Sequence, residues 1–107
     1  MDSDFIIKDG ILEKYVGQEA NVVIPDSVAE IGGLVFSFCM GLKNIDIPNS
    51  VTKIGDGAFA NCTGLRDIKV PDTTEIGRDA FALCDNISVN YRGNTYTKAN
   101  IKELYAI

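Results

Sequence analysis

The sequence predicts an α/β solenoid, a right-handed coil with a short parallel β-sheet on one face and short helical or 3₁₀ turns on the other. One segment of about 23 residues occurs three times, with a proline, an Ile-Gly pair, a phenylalanine and a cysteine in the same order. A segment of this length is too short for a two-helix repeat but suits one short strand, a turn and a partial helix. Each coil carries an apolar edge that it cannot bury alone, so we expect the coils to stack.

The repeat is defined by residues that recur 23 positions apart in the first two copies, and the third copy is one residue shorter. The recurring residues are the prolines Pro25, Pro48 and Pro71, the phenylalanines Phe36, Phe59 and Phe81, and the cysteines Cys39, Cys62 and Cys84. Proline lacks a backbone donor and is expected to end a strand ladder. Cysteine is among the most buried residue types and packs like a small apolar group. We therefore assign all nine residues structural roles.

From the N-terminus, the first predicted element is a β-hairpin, in which Phe5–Lys8 and Ile11–Tyr15 flank the turn dipeptide Asp9-Gly10. Parallel strands should then form one sheet, at about Val22–Ile24, Asn44–Ile47, Asp67–Val70 and Ser88–Tyr91. Short helical or 3₁₀ turns should occupy the segments between Phe and Cys. The tail from Thr97 to Tyr105 has apolar residues at helical spacing and predicts a terminal helix.

We expect a single domain over residues 1–107, the length of a typical domain. Residues 1–21 form the N-terminal cap hairpin, residues 22–91 contain about three repeats of 22–23 residues, and residues 92–107 form the C-terminal cap. A repeat array needs non-repeat segments at both ends to cover its apolar edges. The sequence therefore favours a complete small solenoid.

Composition narrows the classes of function. The net charge of −5 argues against nucleic acid or an anionic membrane surface as partner, since both require clustered Lys and Arg. No apolar run approaches the ~20 residues that a membrane span needs, and the acidic start lacks the features of a signal peptide. Without histidine, nucleophile pairs and zinc sites that depend on it are excluded. We expect no catalytic residue, no metal and no cofactor.

Two motifs suggest chemistry but have structural explanations. The three cysteines leave one thiol over from any disulfide and have no Cys-x-x-Cys spacing, so we expect free, buried thiols and not a disulfide, metal or redox site. The segment Gly55-x-Gly57-x-x-Ala60 imitates a dinucleotide-binding loop, but a coil of 23 residues cannot supply the strand, helix and second strand that this loop requires. Because Gly55 recurs as Gly32 and Gly77, we expect it to form the coil's own turn with a positive φ.

The unit L-x-x-I-x-I-P-x-S-V-x-x-I-G-x-x-A-F-x-x-C resembles the BspA-type leucine-rich repeat, also called the Treponema pallidum type, from Val22 to about Tyr91. The sequence departs from that motif at Leu34, Phe38 and Leu83, where the motif tolerates polar residues. The resemblance implies a leucine-rich-repeat solenoid that takes part in bacterial adhesion or surface interaction. It also implies protein ligands and a cell-surface or secreted location, whereas the missing export signal leaves a cytoplasmic location open.

Alternation along the strands defines a candidate binding surface. If the isoleucines and valines of each strand point inward, the solvent face of the sheet carries Asn21, Val23, Asn44, Asp46, Asp67, Lys69, Ser88 and Asn90. Leucine-rich proteins commonly use the equivalent concave face for recognition, although it can also be merely solvated. Its area is about 200–250 Å², whereas a standard protein interface buries ~800 Å² per partner. Flanking loops or several copies must therefore contribute.

The first coil offers a second candidate surface. Leu34, Phe38 and Met40 are apolar where the next coil has Gly57, Asn61 and Thr63. Leu34 and Phe38 share a face if the turn is helical. This patch predicts either a self-association contact, giving a weak homo-oligomer, or a surface covered by the N-terminal hairpin.

The sequence therefore predicts a non-catalytic protein-binding or adhesion module that presents side chains from a rigid solenoid. A structural segment of a larger bacterial surface protein and an intracellular protein-interaction scaffold are the alternatives. We expect neither nucleic-acid binding nor membrane insertion.

Overall fold

A computed structural model describes residues 4–106 of the 107-residue chain. The chain winds through three side walls in turn, two made of short strands and one made of consecutive turns. The elements are β1 (Phe5–Lys8), β2 (Ile11–Tyr15), β3 (Asn21–Val23), β4 (Glu30–Ile31), β5 (Asn44–Asp46), β6 (Lys53–Ile54), β7 (Asp67–Lys69), β8 (Glu75–Ile76), β9 (Ser88–Tyr91), β10 (Asn94–Thr97) and α1 (Ile101–Leu104). The Cα envelope measures 35 × 27 × 19 Å.

The first wall contains the strands that the alternation predicted. β3 pairs with β5 and β7 pairs with β9, both in parallel, and β10 pairs antiparallel with β9. The prediction of one continuous sheet is wrong, because β5 and β7 belong to separate sheets. The N–H of Arg66 still donates to the carbonyl of Lys43 at 3.1 Å just before these strands. β5 and β7 contain only three residues each. The other hydrogen bonds of a ladder do not form between these two strands, so the sheet is interrupted there.

The second wall was not predicted. It consists of the two-residue strands β4, β6 and β8, which pair in parallel and continue the hairpin into a five-stranded sheet of order β1-β2-β4-β6-β8. Ile31, Ile54 and Ile76 lie in register across it. A pair of residues is too short to show the alternation by which a strand is recognised in a sequence. The hairpin itself is confirmed, and its turn residues Asp9 and Gly10 have φ values of 52° and 79°.

The third wall consists of turns where helical or 3₁₀ turns were expected, and the structure does not confirm the helical expectation. The chain takes a positive φ at Leu34 and Phe38, a conformation that no right-handed helix contains. Alternate N–H groups then donate to the next coil instead of along their own segment. Phe36 N–H donates to Ala58 O at 2.8 Å, and one coil later Phe59 N–H donates to Ala80 O at 2.8 Å.

The core lies between the three walls and is organised as ladders of equivalent residues. The rings of Phe36, Phe59 and Phe81 are stacked with centroids 5.1 and 5.4 Å apart and planes within 2° and 6° of parallel. The rings of Phe5 and Tyr15 continue this column toward the hairpin. Phe36, Phe59 and Phe81 are at most 1% exposed, so the column forms the apolar centre of the solenoid.

The recurring Ile-Gly pair has a role different from the predicted one. Gly32, Gly55 and Gly77 do not have positive φ; Gly57 does. A Cβ atom added to Gly55 would lie 2.5 Å from the Gly33 nitrogen, and one added to Gly77 would lie 2.7 Å from the Asp56 nitrogen. The glycines are therefore needed because adjacent coils approach each other through their backbones.

The C-terminal cap also differs from the prediction. The helix expected from Thr97 to Tyr105 is reduced to the single turn α1, because Thr97 ends β10 and residues 98–100 form a turn. The β9–β10 hairpin turns at Arg92 and Gly93, which have the same φ values, 52° and 79°, as the turn of the first hairpin. After α1, the hydroxyl of Tyr105 accepts a hydrogen bond from Phe81 N–H at 2.9 Å.

Candidate binding surface

The outward-pointing residues of the first wall form a surface that we call the outer sheet face. The structure places the eight predicted residues Asn21, Val23, Asn44, Asp46, Asp67, Lys69, Ser88 and Asn90 on it, with Ser88 half-buried and the other seven exposed. The intervening residues Val22, Ile45, Ile68 and Val89 are buried, at 0–6% exposure. The pleat therefore separates core from surface at every strand.

Strand register arranges the face in two rows that cross the coils. One row joins Asn21 to Asn44 and Asp67 to Ser88, and the other joins Val23 to Asp46 and Lys69 to Asn90. The side-chain amide of Asn44 donates to the side-chain oxygen of Asn21 at 2.7 Å, which orders the first row. Two carboxylates and one ammonium group thus lie among neutral polar side chains and one exposed valine, Val23, a mixture suited to recognition by hydrogen bonds and paired charges.

Two residues of this face were missed by sequence reasoning. β10 adds the exposed side chains of Thr95 and Thr97 beside Asn90 and Ser88, and Thr95 Oγ1 lies 3.0 Å from Asn90 Oδ1. The dipeptide Arg92-Gly93 between two strand-like segments is the signal that could have revealed this second hairpin.

The apolar patch of the first coil is uncovered. Leu34, Phe38 and Met40 are 64%, 67% and 60% exposed, so the expectation that the hairpin covers them is wrong. Phe38 and Met40 border a groove of about 460 Å³ whose opposite side is formed by Tyr15 and the segment 17–19. Leu34 lies elsewhere, against Gly57, because both Leu34 and Phe38 have positive φ and do not share a helical face.

The cysteines form a ladder inside the solenoid. All three thiols are free; Cys62 and Cys84 are buried and Cys39 is half-buried. The thiol of Cys62 donates to Phe36 O and that of Cys84 donates to Phe59 O, each at 3.0 Å and each to the preceding coil. Burial raises the pKa of Cys39, and the adjacent Cys84 thiol together with burial raises the pKa of Cys62. The hydrogen bond with Cys62 lowers the pKa of Cys84. A protonated thiol, here that of Cys39 or Cys62, is a poor nucleophile and a poor metal ligand.

The recurring prolines lie at the ends of the first-wall strands, where each begins a turn. The carbonyls of Pro25, Pro48 and Pro71 accept hydrogen bonds from Val28, Val51 and Thr74, at 3.1, 3.1 and 3.0 Å. Thr74, a buried polar residue in the shortened third repeat, donates its hydroxyl to Val51 O at 2.7 Å. The same hydrogen-bonded turn therefore follows each proline, although the third repeat is one residue shorter.

A family model described as the BspA type leucine rich repeat region (6 copies) matches residues 12–103. The chain belongs to the BspA-type leucine-rich repeat family. The match extends from the hairpin through all three repeats to α1, so it includes the elements that form both the outer sheet face and the column of phenylalanines.

Two solved structures of leucine-rich proteins resemble the chain. A leucine-rich repeat protein from Eubacterium ventriosum is 31% identical with a TM-score of 0.72, over 84% of this chain and 24% of that protein. A leucine rich cell surface protein from Faecalibacterium prausnitzii is 33% identical with a TM-score of 0.67, over 79% of this chain and 27% of that protein. The chain thus spans about a quarter of the length of each. Comparison with curated proteins gave no match.

Two further properties of this BspA-type chain concern metals and membranes. Residues 4–106 contain no group of three or more Cys, Asp or Glu side chains placed to hold a metal ion. Within the same range, no helix has the length and apolar character needed to cross a membrane.

Proposed function

We propose that this chain is a non-catalytic protein-binding module and that the outer sheet face recognises the protein ligand. The two rows of polar side chains on this face carry the proposal. They stand on strands whose inner faces are almost completely buried, so their positions are fixed before a ligand arrives. A preorganised surface loses little conformational entropy on binding, which favours recognition by a small area.

The area of the face sets a limit on affinity. An outer sheet face of about 200–250 Å² is well below the ~800 Å² that each partner buries in a standard interface. The edge residues Thr95 and Thr97 add to the contact area beside Asn90 and Ser88. Binding by one copy is expected to be weak, and repeated presentation would strengthen it by avidity.

We further propose that the module acts at a bacterial cell surface, in adhesion or surface interaction. Its family and the description of the Faecalibacterium prausnitzii relative as a cell surface protein support this location. A second candidate is a structural segment of a larger surface protein, favoured by the chain spanning about a quarter of its solved relatives.

Ligand capture on a protein array tests the assignment of the face. The double variant Asp46→Lys, Asp67→Lys reverses two charges on the outer sheet face, and we expect it to lose the partners that the wild type captures. The control, Asp26→Lys with Glu75→Lys, makes the same change of charge at exposed positions outside the face. We expect the control to retain those partners. Retention by both variants, each with a wild-type melting temperature, would exclude the outer sheet face as the binding surface.

A further inference from the structure

The two strand walls are extended by hairpins at opposite ends of the solenoid. In the second wall, β2 of the β1–β2 hairpin pairs with β4 and extends the N-terminal end. In the first wall, β10 pairs with β9 and extends the C-terminal end. The first wall therefore begins at β3, which pairs with β5 on one side and with no described strand on the other.

The register of β3 identifies which backbone groups face the open edge. Asn44 N–H donates to Ala20 O, and Ile24 N–H donates to Asp46 O, each at 3.0 Å. In a parallel ladder with this register, the N–H and C=O of Val22 also point toward β5. The N–H and C=O groups of Asn21 and Val23 therefore point away from β5, toward the open edge.

Apart from its short length, this edge lacks the features that usually protect an edge strand. Natural edge strands are protected by charges, proline or bulges. Each of the other parallel wall strands from β4 to β8 carries a charged residue, whereas β3 is Asn21-Val22-Val23. Its outward side chain Val23 is 67% exposed. An open groove of about 310 Å³ runs beside the strand, between Val23 on one side and Phe5 and Tyr15 on the other.

We propose that β3 pairs antiparallel with β3 of a second copy of this chain, about a two-fold axis that passes beside Val22. Asn21 then lies opposite Val23 of the other copy, and each such pair exchanges two N–H···O=C bonds. The backbone N–H and C=O groups that face the open edge of β3 belong to Asn21 and Val23 alone. The symmetric register therefore pairs all of these groups, through four hydrogen bonds between the two copies. Such an interface is self-complementary, as a two-fold dimer requires.

Pairing of this kind would join the outer sheet faces of two copies side by side. Each face is too small to form a standard interface, but two joined faces present a single surface of about 400–500 Å². This consequence rests on the proposed binding function, whereas the pairing itself does not. The smallest cross-section of the molecule, 27 × 19 Å, limits an end-to-end contact to roughly 500 Å² per copy. We therefore expect weak, concentration-dependent dimers.

Sedimentation equilibrium without any ligand tests the pairing. We expect the wild type to shift from monomer to dimer between about 10 µM and 1 mM. Val23→Pro removes one outward N–H from each copy, two of the four bonds, and should weaken dimerisation at least about tenfold. Val23→Thr keeps the N–H and a β-branched side chain, and should dimerise like the wild type. A wild type that stays monomeric at 1 mM overturns the pairing.

Hydrogen exchange provides a test that does not depend on whether Val23→Pro folds. In the wild type, exchange of the Asn21 and Val23 amides should slow as protein concentration rises, while the Val22 amide, which faces β5, should not respond. Phe38→Asn should leave both results unchanged. If Phe38→Asn abolishes the dimer and Val23→Pro does not, the apolar patch is the contact and the β3 pairing is wrong.

Discussion

At the scale of single residues, Tyr105 shows how one side chain ends a repeating pattern of backbone hydrogen bonds. Phe36 and Phe59 each donate their N–H to an alanine carbonyl of the following coil at 2.8 Å. The equivalent N–H of Phe81 has no following coil and donates to the Tyr105 hydroxyl at 2.9 Å instead. The phenol thus replaces a backbone carbonyl at the end of the third wall.

Replacing Tyr105 with Phe should destabilise the protein by about 1 kcal/mol at pH 7, because the Phe81 N–H loses its acceptor. The difference should depend on pH. Burial raises the pKa of Tyr105 to about 12, whereas an unfolded tyrosine titrates near pH 10. The unfolded state therefore loses its proton first, and the wild-type advantage should be complete below pH 10 and decline by about 1 kcal/mol toward pH 12, allowing for solvent screening.

Urea unfolding of the wild type and Tyr105→Phe at pH 8 and pH 11.5 measures this effect. The other titrating groups, including Tyr15, whose pKa burial also raises, are present in both proteins and cancel in the comparison. A difference in unfolding free energy that stays constant with pH would show that the Tyr105 phenol is not buried against Phe81.

The cysteines show what residue types and spacing could predict. Their recurrence once per coil and the absence of histidine indicated a packing role from the sequence alone, and in the structure each of Cys62 and Cys84 donates its thiol to the preceding coil. The donor role itself had no sequence signal, because the acceptors are backbone carbonyls of Phe36 and Phe59. Only the coil geometry brings these atoms within 3.0 Å.

At the scale of elements, the Ile-Gly pairs control how closely the coils stack. We expect Gly55→Ala to cost more than about 3 kcal/mol, because the added methyl group would meet the backbone of Gly32 and Gly33 at 2.5–2.9 Å. Gly41→Ala is the matched control, since nothing lies within 4 Å of a Cβ at that position. It should change stability by less than about 1 kcal/mol.

Chemical denaturation of both glycine variants shows whether glycine is required at position 55 because the backbones of adjacent coils approach closely there. Equal effects of Gly55→Ala and Gly41→Ala would mean that the coils can separate to accept the methyl group. The backbone contact between coils would then contribute little to stability.

Elements were predictable where side chains alternate over three or more residues. The first hairpin follows from Asp9-Gly10 between two apolar segments, and β3, β5, β7 and β9 follow from their alternation with the buried isoleucines and valines. The second wall could not be predicted, since each of its strands β4, β6 and β8 contributes two residues. The third wall was misjudged because the apolar spacing of Ala-Phe-x-x-Cys fits a helix, whereas hydrogen bonding to the next coil favours positive φ.

At the scale of the whole molecule, the three walls connect every coil to its neighbours through backbone hydrogen bonds, and the side-chain ladders fill the space between them. A coil removed from this stack would expose its phenylalanine and leave its backbone groups unpaired. Stability in such arrays comes largely from the interfaces between repeats. The binding that we propose then requires only the residues that the stack leaves outside.

The outer sheet face could be listed from the sequence because strand alternation determines which side chains point outward. Its limits could not be deduced. Thr95 and Thr97 belong to the strand β10, which was not predicted, and the open edge of β3 depends on which wall each hairpin extends. Both are properties of the assembled molecule.

Native-state hydrogen exchange tests the central claim, that the coils are stable only as a stack. Gly32, Gly55 and Gly77 donate equivalent hydrogen bonds to Leu12, Ile31 and Ile54 of the preceding coils at 2.9, 2.7 and 2.7 Å. We expect their amides to exchange with one common free energy, equal to that of global unfolding measured in urea. Exchange with clearly different free energies, coil by coil, would contradict the claim, because the coils would then open independently of one another.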